Sequence, residues 1–367
     1  MIDLKDHIII LTSDEPYSKM WHTQLIYTEF LSKNNTVFYI NPPKKWNLKN
    51  LFMPSFNDIK ENNNLIVINY INRLPVFFKP FNVFNEFVNE YNVSRKIKHL
   101  GNKNIIVWHF DSFRSSFSHD FFDKSLLIKR IYHVIDPYFN NPTDKWLSKK
   151  ADLIIATSSR NNEHYTKFLD KLINIPQCLN LGLQQVFLNA PSTLRLKFTD
   201  NYFILLGTIS EDIEFSWILK LLNIRDFKLI IIGKTINLDK NANTFNYIIS
   251  QPNVDYLGLL SPQEFYPILK KASAGLVVYN DDRRSKVCSP LKALNYIISG
   301  LPVITNIDCE IPELLDNSIF YSETLDEYVS NVNFAINKSL KVNENIVETY
   351  LNKISLENAV KKIANII

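Results

Sequence analysis

Residues 288–305 read CSPLKALNYIISGLPVIT, and this stretch decides the fold that we predict. Ser289 is a good helix N-cap, Pro290 suits the first helical position, and Gly300 suits the residue at which a helix stops. These signals predict a helix of about three turns between Ser289 and Gly300. Residues 302–305 then predict a short buried strand, so the stretch forms a helix, a tight turn and a strand.

The predicted helix has one apolar face and one polar face. Leu291, Leu294 and Ile298 recur at the i, i+3, i+7 spacing of a buried stripe. Lys292 and Asn295 repeat this spacing one position along, so they share a polar face beside the core. A helix start with a hydroxyl group and a lysine is a suitable site for an anion. Taken alone, however, the helix favours a capped surface helix with a solvated lysine.

A second informative stretch precedes this one. Residues 254–279 read VDYLGLLSPQEFYPILKKASAGLVVY, and with residues 288–305 they resemble the donor-binding segments of GT-B glycosyltransferases. The later segment of that family has the pattern P-L-K-x-x-E-Y-x-x-x-G-x-P-V-V. The resemblance implies that Lys292 contacts the diphosphate of a nucleotide-sugar and that Asn295 approaches the ribose. The family usually has glutamate at that second position and often another at the position of Val287, so the donor's identity stays open.

Further donor-binding residues are expected around the helix. Gly207 follows the first predicted strand of the second domain, where it fits a close approach of diphosphate to backbone or a simple turn. Tyr279 is expected to border the base. Three loop cations fit either a diphosphate leaving group or a solvated surface, and we expect at least one to face the phosphates. The loop cations are Arg283, Arg284 and Lys286, and the helix start adds Ser289, Pro290 and Leu291.

The sequence lacks the usual signatures of metal and cofactor sites. It has no D-x-D pattern, no glycine-rich dinucleotide or P-loop pattern, and no paired histidines at zinc-binding spacing. In GT-B enzymes, side chains and helix ends stabilise the leaving phosphate, so the resemblance implies no required metal. We therefore expect no metal and no cofactor, with a nucleotide-sugar, most simply a UDP-sugar, as the substrate.

Three residues at predicted strand ends are candidate catalytic groups. The stretch from Ile131 to Asp136 resembles the Y-x-x-x-D strand end of glucuronosyltransferase-like GT-B enzymes, which implies that Asp136 accepts the proton of an attacking hydroxyl. An alternative is that Asp136 caps a helix that begins with Pro137. His109 and Asp111 follow a neighbouring predicted strand and are the reserve candidates. A retaining reaction would need no such base.

Composition limits the other function classes. The net charge is only +4, and no arginine-rich run or RNA-binding aromatic motif occurs, so we expect no nucleic acid partner. The three cysteines form no metal-binding pair and fit buried thiols in a reducing compartment. The N-terminus does not have the layout of a signal peptide, and no run is long enough to span a membrane. We expect a cytoplasmic protein.

The order of the predicted elements indicates two Rossmann-like domains. Strands alternate with helices on both sides of an aperiodic linker, an α/β arrangement with two parallel sheets, which the resemblance implies face a cleft. We predict an acceptor-binding domain over residues 1–185, a linker over 186–201 and a nucleotide-sugar-binding domain over 202–345. Residues 346–367 are expected to return to the first domain as a C-terminal helix.

Residues 74–84 read LPVFFKPFNVF and contain large apolar groups beside two prolines and a cation. They fit a contact with the inner membrane surface or a lid over a lipid-linked acceptor. They also fit an internal helix that packs under the sheet, and the sequence slightly favours this second interpretation.

Together these features predict a glycosyltransferase that moves a sugar from a nucleotide-sugar to a hydroxyl of a cell-surface glycan, with a lipid-linked acceptor as one form. One alternative is a GT-B epimerase or hydrolase, which would turn over the nucleotide-sugar without an acceptor. A second alternative is a GT-B binding subunit without catalysis, since Val287 and Asn295 replace the usual glutamates.

Overall fold

The structure is a computed structural model. It describes residues 4–18, 22–44, 56–75, 79–100, 103–112, 125–136, 141–180, 186–187, 189, 191, 194–282, 285–310, 318–337, 342 and 344–367. The predicted residues Arg283, Arg284 and Pro137 lie outside these ranges.

The chain forms two compact units. The first comprises Met1–Cys178 and Leu356–Ile367, and the second comprises Leu179–Ser355. The boundaries predicted from sequence, after residues 185 and 345, lie within about ten residues of these two changes.

The first unit contains an eight-stranded sheet with the order β3-β4-β2-β1-β5-β6-β7-β8. All neighbouring strands are parallel except β3, which pairs antiparallel with β4 at the sheet edge. The strands are β1 Ile8–Thr12, β2 Thr36–Ile40, β3 Phe56–Lys60, β4 Leu65–Tyr70, β5 Ile105–His109, β6 Leu127–Val134, β7 Leu153–Ala156 and β8 Leu172–Asn174.

Four α-helices within the described residues belong to this unit: α1 Thr23–Leu31, α2 Lys79–Lys98, α3 Pro142–Lys150 and α10 Leu356–Ala364. The continuous apolar runs of β1 and β5 are fully buried, as strands covered on both faces must be. Helix α10 completes this core, because Ile363 is fully buried in the same cluster as Ile9 and Trp108.

The second unit contains a six-stranded, all-parallel sheet with the order β11-β10-β9-β12-β13-β14. Its strands are β9 Phe203–Leu206, β10 Leu229–Ile232, β11 Val254–Tyr256, β12 Ala274–Val277, β13 Val303–Thr305 and β14 Ile319–Tyr321. Its described α-helices are α4 Phe215–Leu221, α5 Ala242–Ile249, α6 Pro262–Leu269, α7 Leu291–Ile298, α8 Leu325–Asn337 and α9 Glu344–Lys353. The predicted alternation of strands with helices in this domain is confirmed.

Helix α7 differs from its prediction at the first turn. It begins at Leu291, with Pro290 as N-cap residue in an extended conformation and without a side-chain hydrogen bond, so Ser289 is not the cap. Proline can occupy this flanking position because the cap residue needs no helical φ/ψ. The C-terminus agrees with the prediction, since Gly300 has φ +74. Its N–H donates to Ile297 and that of Leu301 donates to Tyr296, which is a Schellman motif.

The segment 74–84 is described only in part, because residues 76–78 lie outside the described ranges. Residues 79–84 form the first turns of α2, and the side chains of Val83 and Phe84 are about half exposed. The preferred interpretation, an internal helix under the sheet, is therefore wrong for this part. None of the helices in the described ranges combines the length and hydrophobicity that crossing a bilayer requires.

Candidate functional site

The second sheet has a topological switch point between β9 and β12. From β9 the chain continues to β10 and β11 on one side, whereas β12, β13 and β14 lie on the other side. Ligands of open α/β sheets bind outside the carboxyl ends of the strands at such a point. Gly207 directly follows β9, Tyr279 follows β12 after one intervening residue, and α7 lies between β12 and β13. The sheet order therefore places three predicted donor-binding elements at one position.

Lys292 brings these elements into contact. Its Nζ lies 4.7 Å from the centre of the Tyr279 ring. Its Cε would lie 3.2 Å from a Cβ added to Gly207, so the lysine stem passes close to that backbone. Gly207 also has φ +111, a conformation that favours glycine. The predicted residues Gly207, Tyr279 and Lys292 are therefore neighbours, although 85 residues of sequence separate the first from the last.

The surroundings of Lys292 lower the pKa of its amine. Burial lowers the pKa of Lys292 to about 8, while the nearby Cys288, Asp212 and Cys309 act in the opposite direction. The desolvation effect is larger because the lysine is half-buried and its amine faces the Tyr279 ring and the Gly207 backbone in place of water. An incoming anion restores the missing charge partner, so it would favour the charged form of the lysine.

Two features fix the backbone around Tyr279. The side chain of Asn306 accepts a hydrogen bond from the Tyr279 N–H at 2.9 Å and donates one to its carbonyl at 2.7 Å. Tyr279 also forms an isolated antiparallel bridge with Ile213. Sequence analysis missed Asn306. Asn306 directly follows β13 at the same edge of the sheet, so the strand-end rule could have predicted it.

Helix α7 is held on the sheet by Tyr296. A Cβ at Gly275, in the middle of β12, would lie 2.2 Å from the Tyr296 ring, so only glycine leaves room for it. The Tyr296 hydroxyl accepts a hydrogen bond from the Leu206 N–H at 2.8 Å. The same hydroxyl lies 3.2 Å from the carbonyl oxygens of Ile204 and Leu276. These contacts fix the helix that presents Lys292.

Asn295 lies one turn further along α7 and is partly engaged. Its Oδ1 accepts a hydrogen bond from the buried Tyr266 hydroxyl at 2.7 Å. Among the described residues, its Nδ2 has no hydrogen bond. A glutamate at this position would be an acceptor only, whereas the asparagine amide offers a donor to a ligand.

The other predicted donor-binding residues have different surroundings. Lys286 forms an exposed ion pair with Asp281 at 2.7 Å, so its charge has a protein partner. Ser289 is half-buried, Pro290 is the buried N-cap, and Leu291 is the first, half-buried residue of α7.

The first unit has a comparable switch point between β1 and β5, where the predicted catalytic residues cluster. His109 is fully buried. The Arg130 guanidinium, which can only donate, lies 3.0 Å from its Nε2, so this nitrogen is the acceptor. The proton then sits on Nδ1, 3.2 Å from the Thr12 hydroxyl. Burial and Arg130 hold the pKa of His109 well below its usual range. Since its lone pair is already engaged, this geometry suits a structural histidine rather than a base.

The two predicted aspartates differ in exposure. Asp136, just beyond β6, is exposed, whereas Asp111, just beyond β5, is buried. The helix that follows Asp136 in the described residues, α3, is capped by Asn141, whose side chain accepts a hydrogen bond from the Thr143 N–H. Asp136 therefore does not cap that helix.

Sequence analysis missed a third carboxylate at this edge. Asp14 follows β1, the strand next to β5, and its Oδ1 accepts a hydrogen bond from Gln24 at 2.9 Å. Burial, with repulsion from Asp111, Glu15 and Asp136, raises the pKa of Asp14 to about 7. A carboxyl group with this pKa can exchange a proton near neutral pH. The strand-end rule that selected Asp111 would also have selected Asp14.

Within the described residues, no group of three or more His, Cys, Asp and Glu side chains is arranged to hold a metal ion. The predicted independence of metals and cofactors stays a prediction.

Comparison with known proteins identifies the fold through structure alone. No protein-family model matches the sequence, and no curated protein is similar to it. Solved structures are similar over almost the whole chain. Trehalose-6-phosphate synthase from E. coli bound with UDP-2-fluoro glucose has a TM-score of 0.68 at 11% identity, covering 98% of this chain and 97% of that one.

Two further structures agree. Sucrose-phosphate synthase from Thermosynechococcus elongatus has a TM-score of 0.70 at 12% identity, with 98% of each chain covered. A lipopolysaccharide outer core galactosyltransferase in its apo form has a TM-score of 0.62 at 14% identity, again with 98% of each chain covered. The fold is GT-B. The GT-B fold predicted from residues 254–279 and 288–305 is thus confirmed, and at these identities the likeness concerns the fold alone.

Proposed function

We propose that this GT-B protein is a glycosyltransferase that moves a sugar from a UDP-sugar to a hydroxyl of a cell-surface glycan acceptor, including one carried on a lipid. The observation that carries the proposal is the convergence of Gly207, Tyr279 and Lys292 at the switch point of the second sheet. A UDP donor is supported by the similar fold that binds UDP-2-fluoro glucose.

The proposed chemistry uses the chain's own groups. The bond between the sugar's anomeric carbon and the diphosphate breaks, and the acceptor oxygen forms a bond to that carbon. The diphosphate leaves with the electron pair, and the charged Lys292 stabilises it. Asn295 is proposed to donate from Nδ2 to the ribose, and Tyr279 to border the base. Neither metal nor cofactor takes part in this scheme.

The acceptor's proton needs a base if the reaction inverts the anomeric configuration. We assign this role to Asp136, which is exposed at its strand end. Asp14 is the second candidate, since its carboxyl exchanges a proton near neutral pH. Asp136→Asn should therefore abolish transfer and leave donor binding unchanged.

The donor site is tested by calorimetric titration of UDP and UDP-glucose into wild type, Lys292→Ala and Lys286→Ala. Lys286 is the matched control, because its cation already pairs with Asp281 on the surface. A hydrogen bond to a charged group contributes about 1.5–3 kcal/mol, so Lys292→Ala should weaken binding by roughly tenfold to 100-fold. Lys286→Ala should bind like wild type.

Four results would contradict the proposal. If neither ligand binds wild type, the uridine-linked donor is wrong. If both lysine variants bind equally well, Lys292 does not hold the diphosphate. Turnover of UDP-glucose without an acceptor would indicate an epimerase or hydrolase. Donor binding without turnover, even with acceptors supplied, would favour a binding subunit.

A further inference from the structure

Helix α2 exposes a row of large apolar side chains in addition to the apolar side that it packs on the sheet. Its solvent-facing row, which we name the α2 outer face, consists of Pro80, Val83, Phe84, Phe87, Tyr91, Arg95 and Lys98. The side chains of Val83, Phe84, Phe87 and Tyr91 are 47%, 48%, 44% and 46% exposed. These residues recur at three- and four-residue spacing, so they form one continuous stripe along the helix.

The rotation of α2 is fixed by contacts on its inner side. Val93 and Ile97 pack into a core cluster with strands of the first sheet. The Asn85 side chain accepts hydrogen bonds from the Arg73 and Leu74 N–H groups at 2.8 and 3.0 Å, and donates to the Leu74 carbonyl at 2.8 Å. Because these contacts fix Asn85, Val93 and Ile97 on the inner side, rotating α2 to bury the aromatic row would break them.

Both acids of α2 lie off its outer face, whereas two of its cations lie on it. Arg95 and Lys98 continue the outer row at its C-terminal end, and both are exposed. The Arg95 guanidinium lies 5.9 Å from the centre of the Tyr91 ring, which joins the apolar and cationic parts of the face. The two acids of the helix, Glu86 and Glu90, lie off this row, and Glu90 is buried. The outer face therefore has cations and aromatic groups without a carboxylate.

We infer that the α2 outer face docks the first unit onto an anionic lipid surface. Aromatic and aliphatic side chains in one row suit the boundary between headgroups and acyl chains, and the adjoining cations suit lipid phosphates. A second copy of this chain fits less well, because its α2 outer face offers no acid to Arg95 and Lys98. The inference concerns the first unit alone and does not depend on the proposed donor site.

The test is co-sedimentation of the 367-residue protein with vesicles, one set of phosphatidylcholine and one of phosphatidylcholine mixed with phosphatidylglycerol. Wild type should sediment with the mixed vesicles and should sediment less as salt is raised. Phe84→Ser/Phe87→Ser should lower the partition coefficient at least about tenfold, because two exposed aromatic rings are lost. Arg95→Gln/Lys98→Gln should lower it by roughly fivefold for each cation.

The matched control is Leu169→Ser/Tyr247→Ser, which removes two apolar side chains that are 55% and 57% exposed elsewhere. It should sediment like wild type. Circular dichroism and melting temperature show whether each variant is folded, and calorimetry with UDP-glucose on the same samples reports the donor site separately.

Three results would overturn the inference. Wild type that stays in the supernatant with phosphatidylglycerol vesicles would do so, as would a phenylalanine variant that sediments like wild type. The third is a wild-type dimer in light scattering that becomes monomeric in Phe84→Ser/Phe87→Ser without any vesicle binding. That result would assign the face to self-association.

Discussion

At the scale of single residues, Lys292 is distinguished by surroundings that disfavour its charged form. Its pKa is lowered to about 8 by burial, and a bound diphosphate would favour the charged form. Below pH 7 the free protein already holds the proton, so donor affinity should not change. Above pH 8 the lysine must take up a proton on binding, so affinity should fall towards about tenfold per pH unit. Calorimetry with UDP-glucose between pH 7 and 9 measures this slope.

The matched variant for that measurement is Lys292→Arg. Arginine stays charged throughout this range, so its affinity should be flat with pH even if the longer head group binds more weakly. A wild-type affinity that does not vary with pH would contradict the prediction. An equal fall in Lys292→Arg would assign the effect to another group.

At the scale of elements, the position of α7 depends on one glycine in the neighbouring strand. Gly275→Ala places a Cβ 2.2 Å from the Tyr296 ring, whose hydroxyl is tied to the backbone of β9. The ring must move and shift the helix, so we expect a loss of about 1–3 kcal/mol in the free energy of unfolding. Because α7 presents Lys292, donor affinity should fall as well. Urea denaturation and calorimetry measure the two effects.

Gly300→Ala is the control for this element. It costs about 1 kcal/mol because Gly300 has φ +74, yet an added Cβ there meets no atom within 4 Å. Stability should fall while donor affinity stays unchanged, since Gly300 lies at the opposite end of α7 from Lys292. Equal loss of donor affinity in both glycine variants would show that affinity merely follows stability.

At the scale of the whole molecule, the first unit is closed by the end of the chain. Ile363 of α10 is fully buried in that unit's core, and Ile366 is 44% exposed. Ile363→Ala should therefore destabilise the first unit by about 2–5 kcal/mol, and Ile366→Ala should change stability by less than about 0.5 kcal/mol. Urea unfolding followed by tryptophan fluorescence measures both variants.

The second unit supplies the internal control. Ile363→Ala should bind UDP-glucose like wild type under conditions in which it is folded, because Lys292, Gly207 and Tyr279 all belong to the second unit. Equal stability of the two isoleucine variants would contradict the packing of α10 in the first core.

Several features were readable from sequence because they depend on neighbouring residues. Buried parallel strands such as β1 and β9 are runs of apolar residues, and Gly300 stops a helix wherever that helix lies. The edge strand β3 and the helix α3 escaped prediction, since FNDIK and PTDKWLSKK carry few apolar groups. The stability of such elements comes from tertiary contacts rather than from periodicity.

The sequence by itself determined two α/β units, the GT-B fold and the three residues that meet at the switch point. The tertiary structure decided which candidates have their polar groups engaged. It pairs Lys286 with Asp281, occupies the His109 lone pair with Arg130, and turns the aromatic row of α2 outward. The tertiary structure also identifies Asp14 and Asn306 as residues of the candidate sites, which the sequence prediction had missed. The physical reason is that hydrogen-bond partners, desolvation and the rotation of a helix depend on residues distant in sequence, which no local pattern records.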